Sequence, residues 1–322
     1  MSVDPSDALE SSHGVAGLPV TRDELRALTE PRPAYVLSVT VALLAGWVSL
    51  ALAARSIEPW WARVPLWLAL GVTVIGLVQL GHDAWHQSLF RKPWQDALYG
   101  HLFSVLFGVS YTAARHAHLR HHWYNRTVRD PDAYNVGAGW RPWVQFYVVV
   151  FAGLALSPLH FNVLYPSVAF RREDWRPHLI AMAAYAALYA IVGALAAKHH
   201  LGGLVFDLWV TPILCATPWN GLKSIADHYA NTWQGDRFHT ATTVRTHPLL
   251  SRLWNGLNYH LDHHLFPRVP GHALAALHAR IRPELERRAA PVFDGYAKVF
   301  WRALRAGPTY VSGATPFLRG DR

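Results

Sequence analysis

The chain has 322 residues, of which 52% are hydrophobic and only 16% charged, with 15 Trp, 20 His and a single Cys. One cysteine excludes a disulfide framework and any paired-thiol metal or redox site, so a metal here would be held by nitrogen and oxygen. The net charge of +9 comes from Lys and Arg scattered between apolar runs; it fits a basic face on anionic lipid rather than nucleic acid.

Residues 1–32 read as a polar N-terminal segment carrying Asp4, Asp7, Glu10, Asp23 and Glu24, with no signal peptide. Ala34 to Ala54 is uncharged and long enough to cross a hydrocarbon core. After a turn holding Trp60 and Trp61, suited to an interfacial aromatic belt, a second apolar stretch runs from about Val64 to Gly81. These two form a helical hairpin. Further apolar segments follow at about Trp143–Tyr165, Leu179–Ala197 and Leu204–Trp219, the last two joined by a turn at Lys198–Gly203. If all the histidine clusters lie on one side, the chain crosses an even number of times between Gly81 and Asp227. Four spans in two hairpins satisfy this, with 143–165 interfacial or re-entrant. Arg115, Arg120, Arg126, Arg129, Arg171, Arg172 and Arg176 then fall on the cytoplasmic side. From Pro270 onward, Leu274, Leu277, Ile281 and Leu285 recur among arginines, which predicts an amphipathic helix closing over that face. The expected fold is an all-α integral membrane domain over 33–305 with a histidine-rich cytoplasmic cap, and 306–322 as a flexible tail.

Four histidine clusters carry the chemistry. His82-Asp-Ala-Trp-His86 places two imidazoles on one helical face at i and i+4. His118-Leu-Arg-His121-His122 and His260-Leu-Asp-His263-His264 each bring three to one face, and His228 stands alone after Asp227. A catalytic zinc takes about three protein ligands; nine histidines suit two metals with four or five ligands each, and imidazole suits Fe, Cu, Ni or Zn. Asp83, Asp130, Asp132, Asp227 and Asp262 stand beside the cage, where carboxylates orient metal-bound imidazoles. His116 reads as a bystander. His199 and His200 fall in the far-side turn, and His13, His239, His247, His272 and His278 in polar, solvated segments. His101, His160 and His178 suit interfacial or hydrogen-bonded core positions.

These boxes resemble those of the membrane fatty acid desaturase and hydroxylase superfamily. HDAWH is similar to its first box, HLRHH with Asp130-Pro-Asp132 to its second, and Asn258-Tyr-His-Leu-Asp-His-His-Leu-Phe-Pro267 to its third. The resemblance implies four transmembrane helices, a cytoplasmic cap and a non-haem di-iron centre held by His82, His86, His118, His121, His122, His228, His260, His263 and His264. Ser224 stands where acyl-CoA desaturases of this type carry an Asn four residues before the isolated His, with Asn220 one turn earlier, which weakens an acyl-CoA assignment. HDAWHQSLF and RDPDAYN also resemble carotenoid hydroxylases and ketolases. The implied activity is O2-dependent attack on an unactivated C–H bond of a lipid, foremost as an acyl-lipid desaturase, with fatty acid or carotenoid hydroxylation or ketolation as the alternative. No cytochrome b5-like HPGG or flavin-type GxGxxG segment is present, so electrons come from a separate ferredoxin- or cytochrome b5-type protein. The site is expected on the cytoplasmic face, of the inner membrane in a bacterium. Three other classes fit less well. A haem carrier needs paired histidines at mid-membrane, a zinc hydrolase needs HExxH, and a metal transporter needs polar residues inside its spans.

Overall fold

The computed structural model describes residues 18–127, 129–132, 140–228 and 236–306; the expected tail from 307, His13 and most of the polar N-terminal segment lie outside them. The chain is mostly helical. After α1 (Arg22–Leu28), capped by a reciprocal Thr21–Glu24 box, come α2 (Pro33–Ser56) and α3 (Trp60–Trp85). Proline opens α2 where no intrahelical N–H is needed, and both helices are apolar on nearly every side. The hairpin expected from the sequence is there: Leu43 meets Gly76, and the methyl of Thr73 would touch a Cβ placed on Gly46.

Among the described residues, three helices are long and apolar enough to cross a bilayer: the one ending at Ser56, Trp60–Trp85, and α8 (Arg172–Lys198). Between them lies an element the sequence did not announce. α4 (Pro93–Phe107) and α5 (Tyr111–Tyr124) meet at 105°, and together they have the apolarity of a broken span or a re-entrant loop. The bend falls at Gly108, whose φ of 67° closes α4 with a left-handed residue. α6 (Trp140–Leu159) continues through a π-helical turn, His160–Leu164, into α7 (Tyr165–Ala169). The expected fourth span falls on α9 (Gly202–Val205), a second π-helical turn (Phe206–Val210) and α10 (Thr211–His228).

The cap follows: a 3-10 turn at Arg237–His239, β1 (Thr243–Arg245), α11 (Pro248–Leu253), α12 (His260–Leu265), α13 (Gly271–Arg287), β2 (Val292–Asp294) and α14 (Tyr296–Ala306). β1 and β2 pair in parallel, Val244 opposite Phe293, a small departure from the all-α expectation. α13 buries Leu274, Leu277, Ile281 and Leu285 on one side, as the spacing predicts, against Leu261 and Leu265 of α12.

The core sits between α2, α3 and α10, where Leu70, Val74, Ile75, Leu77 and Leu80 are fully enclosed. Gly71 and Gly76 permit close approach: a Cβ would stand 2.4 Å from the Cys215 carbonyl at the first and 2.3 Å from the Leu253 carbonyl at the second. Small residues at helix contacts let backbones approach in membranes, where burial from water does not drive packing. Gly76 therefore fixes the cap's α11 against α3.

Candidate metal centre

α3 ends within the first histidine pair. His82 lies in its last turn and His86 is its C-cap, so both rings leave the same end of the rod. α5 presents His118, His121 and His122 from one face, α10 ends on His228, and α12 is little more than His260–Leu265. All nine histidines converge, in two groups. One comprises His82, His86, His118, His122 and His263, the other His121, His228, His260 and His264, with all donor atoms of each group within 4.8 Å of one another.

The contacts are between ring nitrogens. In the first group, His118 Nε2 lies 2.8 Å from His86 Nε2 and 3.0 Å from His122 Nε2, and His263 Nε2 lies 3.0 Å from His122 Nε2. In the second, His228 Nε2 lies 3.1 Å from His121 Nε2 and 3.0 Å from His260 Nε2, with His264 Nε2 3.1 Å from His260 Nε2. Neutral imidazole has one donor and one acceptor nitrogen, and for His121 and His228 the outer nitrogen already has a hydrogen-bond acceptor. His121 Nδ1–H donates to Asp130 at 2.8 Å, and His228 Nδ1–H to the Thr240 carbonyl at 3.0 Å. That leaves lone pairs on the two inner Nε2 atoms pointing at each other across 3.1 Å. A shared cation satisfies such an arrangement; another imidazole does not. The buried Nε2 of His82 likewise has no protein partner. The residues fit metal ions. Burial also holds His260, His263 and His264 well below the ordinary imidazole range, with neighbouring cationic groups adding to the effect, so they stay in the neutral form that ligates.

The carboxylates divide. Asp130, buried at 1% exposure, accepts from His121, from Arg126 N–H at 2.8 Å and from Asp132 N–H at 2.9 Å, and thereby ties the second cluster to its own loop. Asp132 stands 3.7 Å from the same ring nitrogen. Asp83 lies 3.5 Å from His82 Nδ1, but its other oxygen accepts from the Asn255 amide and from Gly271 N–H, each at 2.8 Å. It latches cap to span. Asp227 is 3.7 Å from His260 Nδ1 and takes a 2.5 Å bond from Lys223, a buried cation that the sequence reading passed over. Asp262 departs from expectation. It accepts from Thr243 and from His278 Nδ1–H, at 2.6 and 2.9 Å, instead of from a cage imidazole. Ser224 lines the cavity beside the cage.

The other histidines sort as follows. His116 contacts the Tyr165 hydroxyl at 2.7 Å, outside both groups. His101 pairs with Tyr185 and His178 with Ser110. His199 and His200 are exposed in the turn after α8. Three expected in solvent are not free there. His278 is 6% exposed, His272 packs on the Tyr35 ring, and His239 is half-buried with Nε2 3.1 Å from the Arg288 carbonyl. For His278 the signal was present, because it falls on the apolar stripe of α13 between Leu274 and Ile281.

A cavity of about 740 Å³ opens onto His82, His118, His121, His228 and His260, within the ~300–1,000 Å³ usual for ligand sites. Its remaining wall is largely apolar, with Val78, Phe103, Phe107, Leu154, Phe161 and Leu164 prominent.

Residues 59–296 match the family model described as fatty acid desaturase. Among curated proteins, the chain is similar to the sn-1 oleoyl-lipid 12-desaturase of Picosynechococcus, with 26% identity over 70% of this chain and 71% of that one. It is similar to the sn-1 acyl-lipid omega-3 desaturase (ferredoxin) of Synechocystis, with 24% identity over 88% of each. It also resembles the endoplasmic-reticulum acyl-lipid omega-3 desaturase (cytochrome b5) of Arabidopsis thaliana, with 22% identity over 74% of this chain and 68% of that one.

Proposed function

Because the chain belongs to the fatty acid desaturase family, we propose that it is an O2-dependent acyl-lipid desaturase whose nine converging histidines hold two irons. The observation that carries this reading is the sorting of those histidines into a group of five and a group of four at the mouth of an apolar cavity. Two irons so held supply the oxidising power, drawn from O2, to break an unactivated C–H bond; the protein's share is placement. Asp130 and the Thr240 carbonyl fix the tautomers of His121 and His228 so that each presents Nε2 inward. Burial keeps water from the centre and keeps the imidazoles neutral. The apolar cavity wall holds an acyl chain against His82 and His118, where sub-ångström placement selects the bond attacked.

In this reading the chain is multi-pass, with four spans in two hairpins turning at Ile57–Pro59 and at His199–Leu201. The cage and cap then lie on the cytoplasmic face, of the inner membrane in a bacterium. Two of the similar proteins are named for ferredoxin and for cytochrome b5, which supports a separate electron donor of one of these types.

The test is expression with a ferredoxin system and gas chromatography of the acyl methyl esters. A new double bond is the expected product. A hydroxylated or ketolated product would move the assignment to the alternative chemistry, and unchanged lipid and carotenoid profiles from metal-loaded, reducible protein would sink the oxygenase reading.

A further inference from the structure

α14 is built with two unlike faces. Tyr296, Val299 and Ala303 are buried at 7%, 1% and 0% exposure, whereas Lys298, Trp301, Arg302 and Arg305 look outward. These four residues line a recess of about 440 Å³. The Arg305 guanidinium stacks 4.9 Å over the Trp301 ring, and that ring is 58% exposed.

Its depth decides what it meets. Tyr296 packs on Trp254 at 5.1 Å, and Trp254 in turn meets Trp219 at 6.4 Å and donates from its indole to the Val72 carbonyl at 3.1 Å. Val72 is ten residues before His82 on one continuous helix, a rise of about 15 Å, and Trp219 is nine residues before His228, about 13 Å. Both lie within the apolar stretches of α3 and α10. The helix therefore sits beside the spans, on the bilayer side of the cage, with Leu249 of neighbouring α11 also exposed at 60%. Cations on long stems reach from that level to the headgroup layer, and tryptophan favours the same zone. A soluble acidic carrier docks on surface facing away from the bilayer.

We propose that Lys298, Arg302 and Arg305, with Trp301, form a site for the phosphate headgroup of an anionic phospholipid that anchors the cap to the bilayer. This rests on the chain being embedded in a membrane and is independent of the reaction it catalyses.

The full chain, reconstituted in nanodiscs of mixed phosphatidylglycerol and phosphatidylcholine, is released for native mass spectrometry and its retained lipids are counted. Phosphatidylglycerol is expected to be enriched, by about fivefold for each cation, and the enrichment is expected to fall with added salt. The triple variant Lys298→Gln/Arg302→Gln/Arg305→Gln loses it, whereas Arg280→Gln/Arg282→Gln/Arg287→Gln on α13 keeps it. If the triple variant does not fold, Lys298→Gln alone and the salt titration of the unaltered protein decide. Enrichment that survives these substitutions, or disappears equally in the α13 variant, overturns the site. So does hydrogen-exchange protection of α14 by an acidic redox protein but not by phosphatidylglycerol.

Discussion

Asp130→Ala separates the two metal groups. Asp130 is enclosed, and its oxygens take three hydrogen bonds: one from the His121 ring and two from the backbone N–H groups of Arg126 and Asp132. Removing the carboxylate leaves two buried donors, His121 and the Arg126 N–H, and the part-buried Asp132 N–H without their acceptor. At ~1–3 kcal/mol for each buried group left unpaired, the loop loses about 2 kcal/mol or more. Loss of an orienting carboxylate also lowers metal affinity by ~10–100-fold. His121 belongs to the group of four, so half of the bound metal is lost to a chelator while the group of five keeps its share. Asp130→Asn retains one oxygen but turns an N–H toward either His121 or Arg126, so its loss is expected to be intermediate. Metal per chain after graded chelation, measured beside thermal unfolding, reads both terms. Full metal retention in Asp130→Ala, or equal loss from both groups, would refute the reasoning.

Three further outcomes follow from the geometry. Gly76→Ala forces a methyl to within 2.3 Å of the Leu253 carbonyl; the cap should detach locally, seen as faster hydrogen exchange in α11, and an unchanged exchange rate would contradict the contact. His116→Ala removes contacts to Tyr165 and Asp174, both outside the cage, and should leave metal content intact, whereas His118→Ala should lower it; equal losses would place His116 in the cage. Burial holds His260, His263 and His264 below the ordinary imidazole range, so below about pH 6.5 the unfolded metal-free chain binds more protons than the folded one and stability falls with pH. Melting of chelated protein at about pH 7.5 and about pH 5.5 checks this, with a constant midpoint as the contrary result.

The cage was legible because helical spacing alone brings i, i+3 and i+4 to one face, and because apolar length alone marks α2, α3 and α8. Adjacency in sequence misled where helical rotation intervenes. Asp262 sits between His260 and His263 in the chain, but at ~100° per residue a side chain two positions on points away from the His260 face, and it meets His278. The α4–α5 bend was hidden because neither half has span length and Gly108 breaks the periodicity. Lys223 gave a local signal, an i, i+4 partner for Asp227, but nothing in the sequence said that the pair was buried.

Elemental analysis of the purified chain tests the central claim most directly. About two irons per chain is the value expected from cages of four and five imidazoles. One zinc per chain, or iron present only as haem, would contradict it.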